Sequence, residues 1–186
     1  MVYSAGRRIR DAGLVLASSL LASTALAGCG FLNPGSMVAP APMTVGSAAF
    51  TQNVLPDTYT CHGKRISPPI TWSGAPSGTK SYALVIDDSS APITPFIYWM
   101  VVGISDTSTD LQEGSLPPGA TEALNSAGTA SYDPPCPQGS PHMYRITVYA
   151  LDTALSLPNG TSLGTAWRDI AAATIGRGRK VVTGYP

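Results

Sequence analysis

A mainly β domain with one late helix is what this 186-residue sequence predicts. Three observations carry that prediction. Residues 79–88, TKSYALVIDD, alternate and are rich in Tyr, Leu, Val and Ile, the period of a strand. Residues 95–104, PFIYWMVVGI, run apolar and aromatic without a break, as in a strand covered on both faces. Nineteen glycines and seventeen prolines punctuate the chain with turns, which suits short strands better than long helices.

In chain order, the first segment stands outside that domain. Arg7, Arg8 and Arg10 form a basic stretch, followed by the small, apolar run from Gly13 to Gly28, too short for a membrane span. It ends in LAGC, residues 26–29, which resembles the lipobox of bacterial lipoproteins. That resemblance implies a signal peptide over 1–28, a diacylated Cys29 and an exported protein held at the cell envelope by its lipid. Residues 29–42 then read as a proline-stiffened tether, and the folded domain as 43–186. Loss of the leader would remove three of eleven basic and one of eleven acidic residues. Eight and ten remain, a net charge of −2. Charged residues are only 12% of the chain and form no basic stripe, so nucleic acid is not an expected partner.

Within the domain, SPPITWSGAPSG and LQEGSLPPGA read as turn-rich connectors, and residues 143–151 as a third strand. One helix is predicted over 165–175, because Trp167, Ile170, Ala171, Thr174 and Ile175 recur on one face. Gly176 then falls where a C-terminal cap belongs. Together these elements describe a mostly antiparallel β domain with a helix packed on it.

With Cys29 assigned to the lipid, Cys61 and Cys136 remain. In an exported domain that arithmetic favours one disulfide, the alternative being two separate thiols. No metal-ligand spacing is present, and no cofactor is expected. His62 reads as exposed, and Trp72 and Trp99 as core.

Strand periodicity makes the first functional point. Period two places His142, Tyr144, Ile146, Val148 and Ala150 on one face, and Tyr82, Leu84, Ile86 and Asp88 on another. A carboxylate and an imidazole thus end two core-facing rows. They either converge on one site or each meet solvent.

SPPITW (67–72), TKSYALVIDDSSAP (79–92), IYWMVVGI (97–104), LPPGATEALNSAG (116–128) and YDPPCPQGSPHMYRITVYALD (132–152) follow one another here. In that order they resemble the phosphatidylethanolamine-binding protein family, which includes the Raf kinase inhibitor proteins, in its bacterial branch. The resemblance implies a β-sandwich built on a large antiparallel sheet with a C-terminal helix. It also implies a small pocket for a phosphoryl or carboxylate group, or for a phospholipid head group. Asp88 and Pro92 match the ends of the family's Asp-Pro-Asp-Ala-Pro motif, and His142 and Tyr144 its pocket histidine and tyrosine. Pro135 belongs to the proline-rich wall. Tyr98 stands where the family has a histidine, Ser90 where it has the second aspartate, and Pro134 where it has a glycine.

Three function classes follow. The leading one is a membrane-anchored binding protein whose imidazole and phenol donate to an anion. The second is an inhibitor of an exported protease or another interaction protein. The third is a hydrolase using Ser89 or Ser90 with His142 and Asp88, but the chain lacks a G-x-S-x-G elbow and is not expected to be an enzyme.

Overall fold

The computed structural model describes residues 39–91 and 94–186. The leader, Cys29 and most of the tether lie outside the described residues, as does Pro92. Eight strands form one sheet: β1 (Ala41–Gly46), β2 (Ile70–Ser73), β3 (Ser81–Asp88), β4 (Phe96–Ser105), β5 (Asp110–Leu111), β6 (Thr121–Glu122), β7 (His142–Leu151) and β8 (Thr174–Gly184). Their spatial order is β5-β2-β1-β8-β7-β3-β4-β6, and the single helix α1 spans Leu163–Ala173. The three strands read from the sequence are all present. They lie side by side as β7-β3-β4, joined by antiparallel ladders.

All eight residues of β3 are buried, because a different core covers each face of the sheet there. On one face Leu84, Ile86, Trp99, Val101, Ile146 and Val148 pack against Val45, Ile70 and Trp72 from β1 and β2. The sheet curls to allow this: the Trp72 and Tyr82 rings meet edge to face at 5.4 Å, although three strands separate β2 from β3 along the sheet. On the other face Ala83, Val85, Met100, Val102 and Leu151 pack against Ala166 and Ile170 of α1. Trp72 and Trp99 are both core residues, as expected from sequence.

Three details correct the sequence reading. The helix ends at Ala173, and Thr174, Ile175 and Gly176 open β8. Gly176 is therefore not a cap. A Cβ there would lie 2.7 Å from Pro76, and one at Gly178 would lie 2.7 Å from the Met43 carbonyl oxygen. Gly176 makes room for the Pro76 ring, and Gly178 lets the β1 backbone pass closely. Second, β1 runs parallel to β8, with Ala41 opposite Gly176, the one parallel pairing among the named strands of a sheet that is otherwise antiparallel as expected, and β8 follows the helix. Third, β1 starts at Ala41, two residues ahead of the boundary placed at Met43, and ITWS of a supposed connector is β2.

The helix begins where its chemistry dictates. Ser162 takes the N-cap position and its hydroxyl accepts from the Thr165 N–H at 3.4 Å. Ala166, Ile170 and Ala173 then fall on the buried face.

Candidate ligand-binding site

Asp88, the last residue of β3, stands opposite Tyr144 in the β3–β7 ladder, two residues from the start of β7 at His142. This register brings the two polar row-ends together. His142 Nδ1 lies 2.7 Å from Asp88 Oδ2. The other carboxylate oxygen accepts the Ser90 N–H at 2.7 Å. With Asp88 a carboxylate, Nδ1–H is the donor, which leaves Nε2 as the ring nitrogen without a protein partner among the described residues. The Asp88 side chain is 4% exposed and that of His142 30%, so the carboxylate acts from beneath while the imidazole reaches the surface.

The turn after β3 is fastened to the same point. The Ser89 N–H and hydroxyl both donate to the Met143 carbonyl, and the Met143 N–H donates to the Ser90 hydroxyl. Ser90, where the resembling family has an aspartate, thus anchors the residue beside His142.

Tyr144 is 1% exposed, and its hydroxyl has no hydrogen-bond partner among the described residues. Its ring stacks on that of His142 at 6.3 Å and meets Tyr98 edge to face at 5.6 Å. Burial, the neighbouring Tyr98 and the Asp88 charge all push the Tyr144 phenol above its ordinary range. Tyr98 is pushed up to about 12, by burial first and then by the Asp88 and Asp133 carboxylates. Both phenols are therefore neutral donors at physiological pH.

A bulge brings Tyr98 into this group. Ile86 pairs with Trp99 but Asp87 with Ile97, so Tyr98 is the extra residue of β4. Its side chain packs with the same core as Trp99 instead of pointing to the opposite face. Strand alternation alone misses this.

The proline-rich segment lies behind the tyrosines. The Pro135 carbonyl accepts the Cys61 N–H at 3.0 Å, and a disulfide joins Cys61 to Cys136. Pro135 is buried, and its carbonyl is bonded to that staple. Pro137, in the same proline-rich wall, lies beside the cluster. A Cβ at Gly184 would meet the Tyr144 ring at 2.6 Å and Pro137 at 3.6 Å, so the ring and this proline flank one bare stretch of β8. Asp133 is a neighbour that the sequence did not single out. Its N–H donates to the Tyr98 carbonyl, and its charge acts on the Tyr98 phenol. The only signal was its place in the segment YDPPCP.

His62 is exposed as expected. Donor atoms of Cys61, His62 and Cys136 lie within 4.8 Å of one another, but the disulfide engages both sulfurs and leaves no thiolate to ligate.

A curled, mainly β sheet carrying a histidine–carboxylate pair, one buried phenol and one half-buried phenol at one end of its central strands defines the class of protein. The family model described as phosphatidylethanolamine-binding protein matches residues 45–185, and the chain belongs to that family. A UPF0098 protein of Methanothermobacter thermautotrophicus is 42% identical over 113 residues, covering 58% of this chain and 75% of that relative. A Mycobacterium tuberculosis protein named "Putative lipoprotein LppC" is 38% identical over 145 residues, covering 76% of this chain and 72% of its own. Among solved structures, Escherichia coli YBCL, described as a new member of the mammalian PEBP family, gives a TM-score of 0.71 at 29% identity. That likeness covers 77% of this chain and 98% of YBCL.

Proposed function

We propose that the cluster of His142, Asp88, Tyr144 and Tyr98 binds the anionic group of a small molecule: a phosphoryl, a carboxylate or a phospholipid head group. One observation carries the reading. The buried Tyr144 hydroxyl has the Tyr98 phenol as its neighbour but no hydrogen bond of ordinary geometry among the described residues, and it lies beside an imidazole that Asp88 already orients. An orphaned buried donor costs about 1–3 kcal/mol, a cost that an incoming oxygen would relieve. His142 Nε2 and the two phenols supply donors, and a protonated imidazole adds charge assistance. Asp88 already accepts from His142 and Ser90 and is buried, which favours an orienting role over contact with an ammonium group. The proline loop of Pro135 and Pro137 would flank the bound group, with the disulfide holding that loop in place before binding.

The site is read as one that binds rather than reacts. The Ser89 hydroxyl donates to the Met143 carbonyl and the Ser90 hydroxyl accepts the Met143 N–H, and neither is hydrogen-bonded to His142 among the described residues, which supports a binding role. The leader, lipobox and tether further support a mature protein starting at Cys29 and attached to the bacterial envelope by its acyl chains. The name of the mycobacterial relative agrees with that.

Calorimetric titration of the full chain with inorganic phosphate and with glycerophosphoethanolamine tests the binding role. His142→Ala is expected to weaken binding by roughly tenfold or more, since a hydrogen bond to a charged group contributes about 1.5–3 kcal/mol. Unchanged affinity in that variant would remove the assignment.

A further inference from the structure

The helix covers only part of the sheet's second face. Its eleven residues span about 16 Å at 1.5 Å per residue. The ten-residue strands β4 and β7 run to about 33 Å. A cavity of about 370 Å³ opens between Leu163 and Trp167 of the helix and Ile97, Arg145, Tyr149 and Arg179 of the sheet. Its size lies within the range of about 300–1,000 Å³ typical of small-ligand sites.

The lining of the cavity mixes charged and polar residues with apolar ones. Asp87 also lines it, but its carboxylate is held by Arg145, whose Nε donates at 2.8 Å and whose Nη2 donates to the same oxygen. Arg179 differs. Its Nε donates to the Thr147 hydroxyl at 3.1 Å, and it forms no ion pair among the described residues. Asp87 and Arg145 cancel, so Arg179 leaves the lining with one net positive charge. Its field reaches the aromatic wall: burial raises the Tyr149 phenol, and the Arg179 and Arg177 charges oppose that rise. Tyr149 and Trp167 meet edge to face at 5.8 Å and, with Leu163 and Ile97, form the apolar part of the lining.

We propose that this cavity binds a small aromatic carboxylate, its carboxylate on Arg179 and its ring against Trp167, Leu163 and Ile97. One unpaired guanidinium matches one anionic charge, and its planar fork suits a carboxylate. The apolar part of the lining suits a flat ring. The inference does not depend on the His142 site, which lies on the opposite face of the same strands.

The test is titration of the full chain with 2-naphthoate and with its neutral analogue 2-naphthamide, followed by calorimetry and by NMR of the Trp167 indole N–H and the arginine side chains. Saturable naphthoate binding is expected, with the largest shifts at Trp167, Arg145 and Arg179. Naphthamide should bind about tenfold more weakly or worse, and Arg179→Ala should lower naphthoate affinity by a similar factor. Arg179 is exposed, so the variant is expected to fold. If it does not, the acid–amide comparison on the unaltered chain decides. Failure to saturate, equal affinity for acid and amide, an unchanged affinity in Arg179→Ala, or shifts centred on His142 and Tyr144 would each overturn the proposal.

Discussion

Two consecutive carboxylates of β3 build two unlike polar pairs with residues of β7. Asp88 and His142 lie on the curled face of the sheet, and Asp87 and Arg145 on the face that carries the helix. Strand alternation separates them, and the β3–β7 register supplies a nitrogen partner to each carboxylate. Asp88 has two partners, the imidazole and the Ser90 N–H. Asp87, 7% exposed at its side chain, has only Arg145 among the described residues. Similar geometry thus yields a histidine that a backbone-anchored carboxylate orients for other work, and an arginine on which its carboxylate depends.

The largest expected effect follows from that dependence. Arg145→Ala would leave a buried carboxylate unpaired and is expected to lower stability by about 3–5 kcal/mol. His142→Ala leaves Asp88 its Ser90 bond, and a loss of about 1–3 kcal/mol is expected. Urea unfolding of the two variants checks the order; equal losses would break the contrast between the pairs.

Tyr144→Phe should have a smaller and opposite character. It removes a buried hydroxyl that has no partner among the described residues, so stability is expected to hold or rise by up to about 1 kcal/mol while phosphate affinity falls. A clear loss of stability would mean that the hydroxyl already has a structural role. The subtlest effect is alkaline. Tyr98 ionises at about 12 in the fold against 10.0 ordinarily, so the folded state favours the protonated phenol. Its contribution is fully present below pH 10 and is lost as pH rises towards 12. Tyr98→Phe should flatten the decline of unfolding midpoints across that window, and an unaltered slope would assign the decline to other groups.

Much of the site was legible because periodicity is a local property. The rows ending in Asp88 and in His142 and Tyr144 follow from period two, and the family resemblance joined them into one site. Tyr98 was legible only by resemblance, since a bulge turns it to a face that alternation denies it. Asp133 and Pro137 gave no periodic signal, because they lie in a segment with no strand or helix assigned. The Asp87–Arg145 pair needed the β3–β7 register, which nothing within either strand specifies.

The sequence by itself determined a mainly β fold, the inward rows of its central strands, its family and the donors and carboxylate of its candidate site. These depend on side-chain order along single segments. Tertiary structure alone decided that TIGRGRKVVTG is a strand, because Gly176 and Gly178 are required by neighbours distant in sequence. It also decided between one disulfide and two thiols, and showed that the short helix leaves a cavity beside Arg179. Each of those depends on which segments meet, and the hydrophobic pattern of one segment does not encode the position of another.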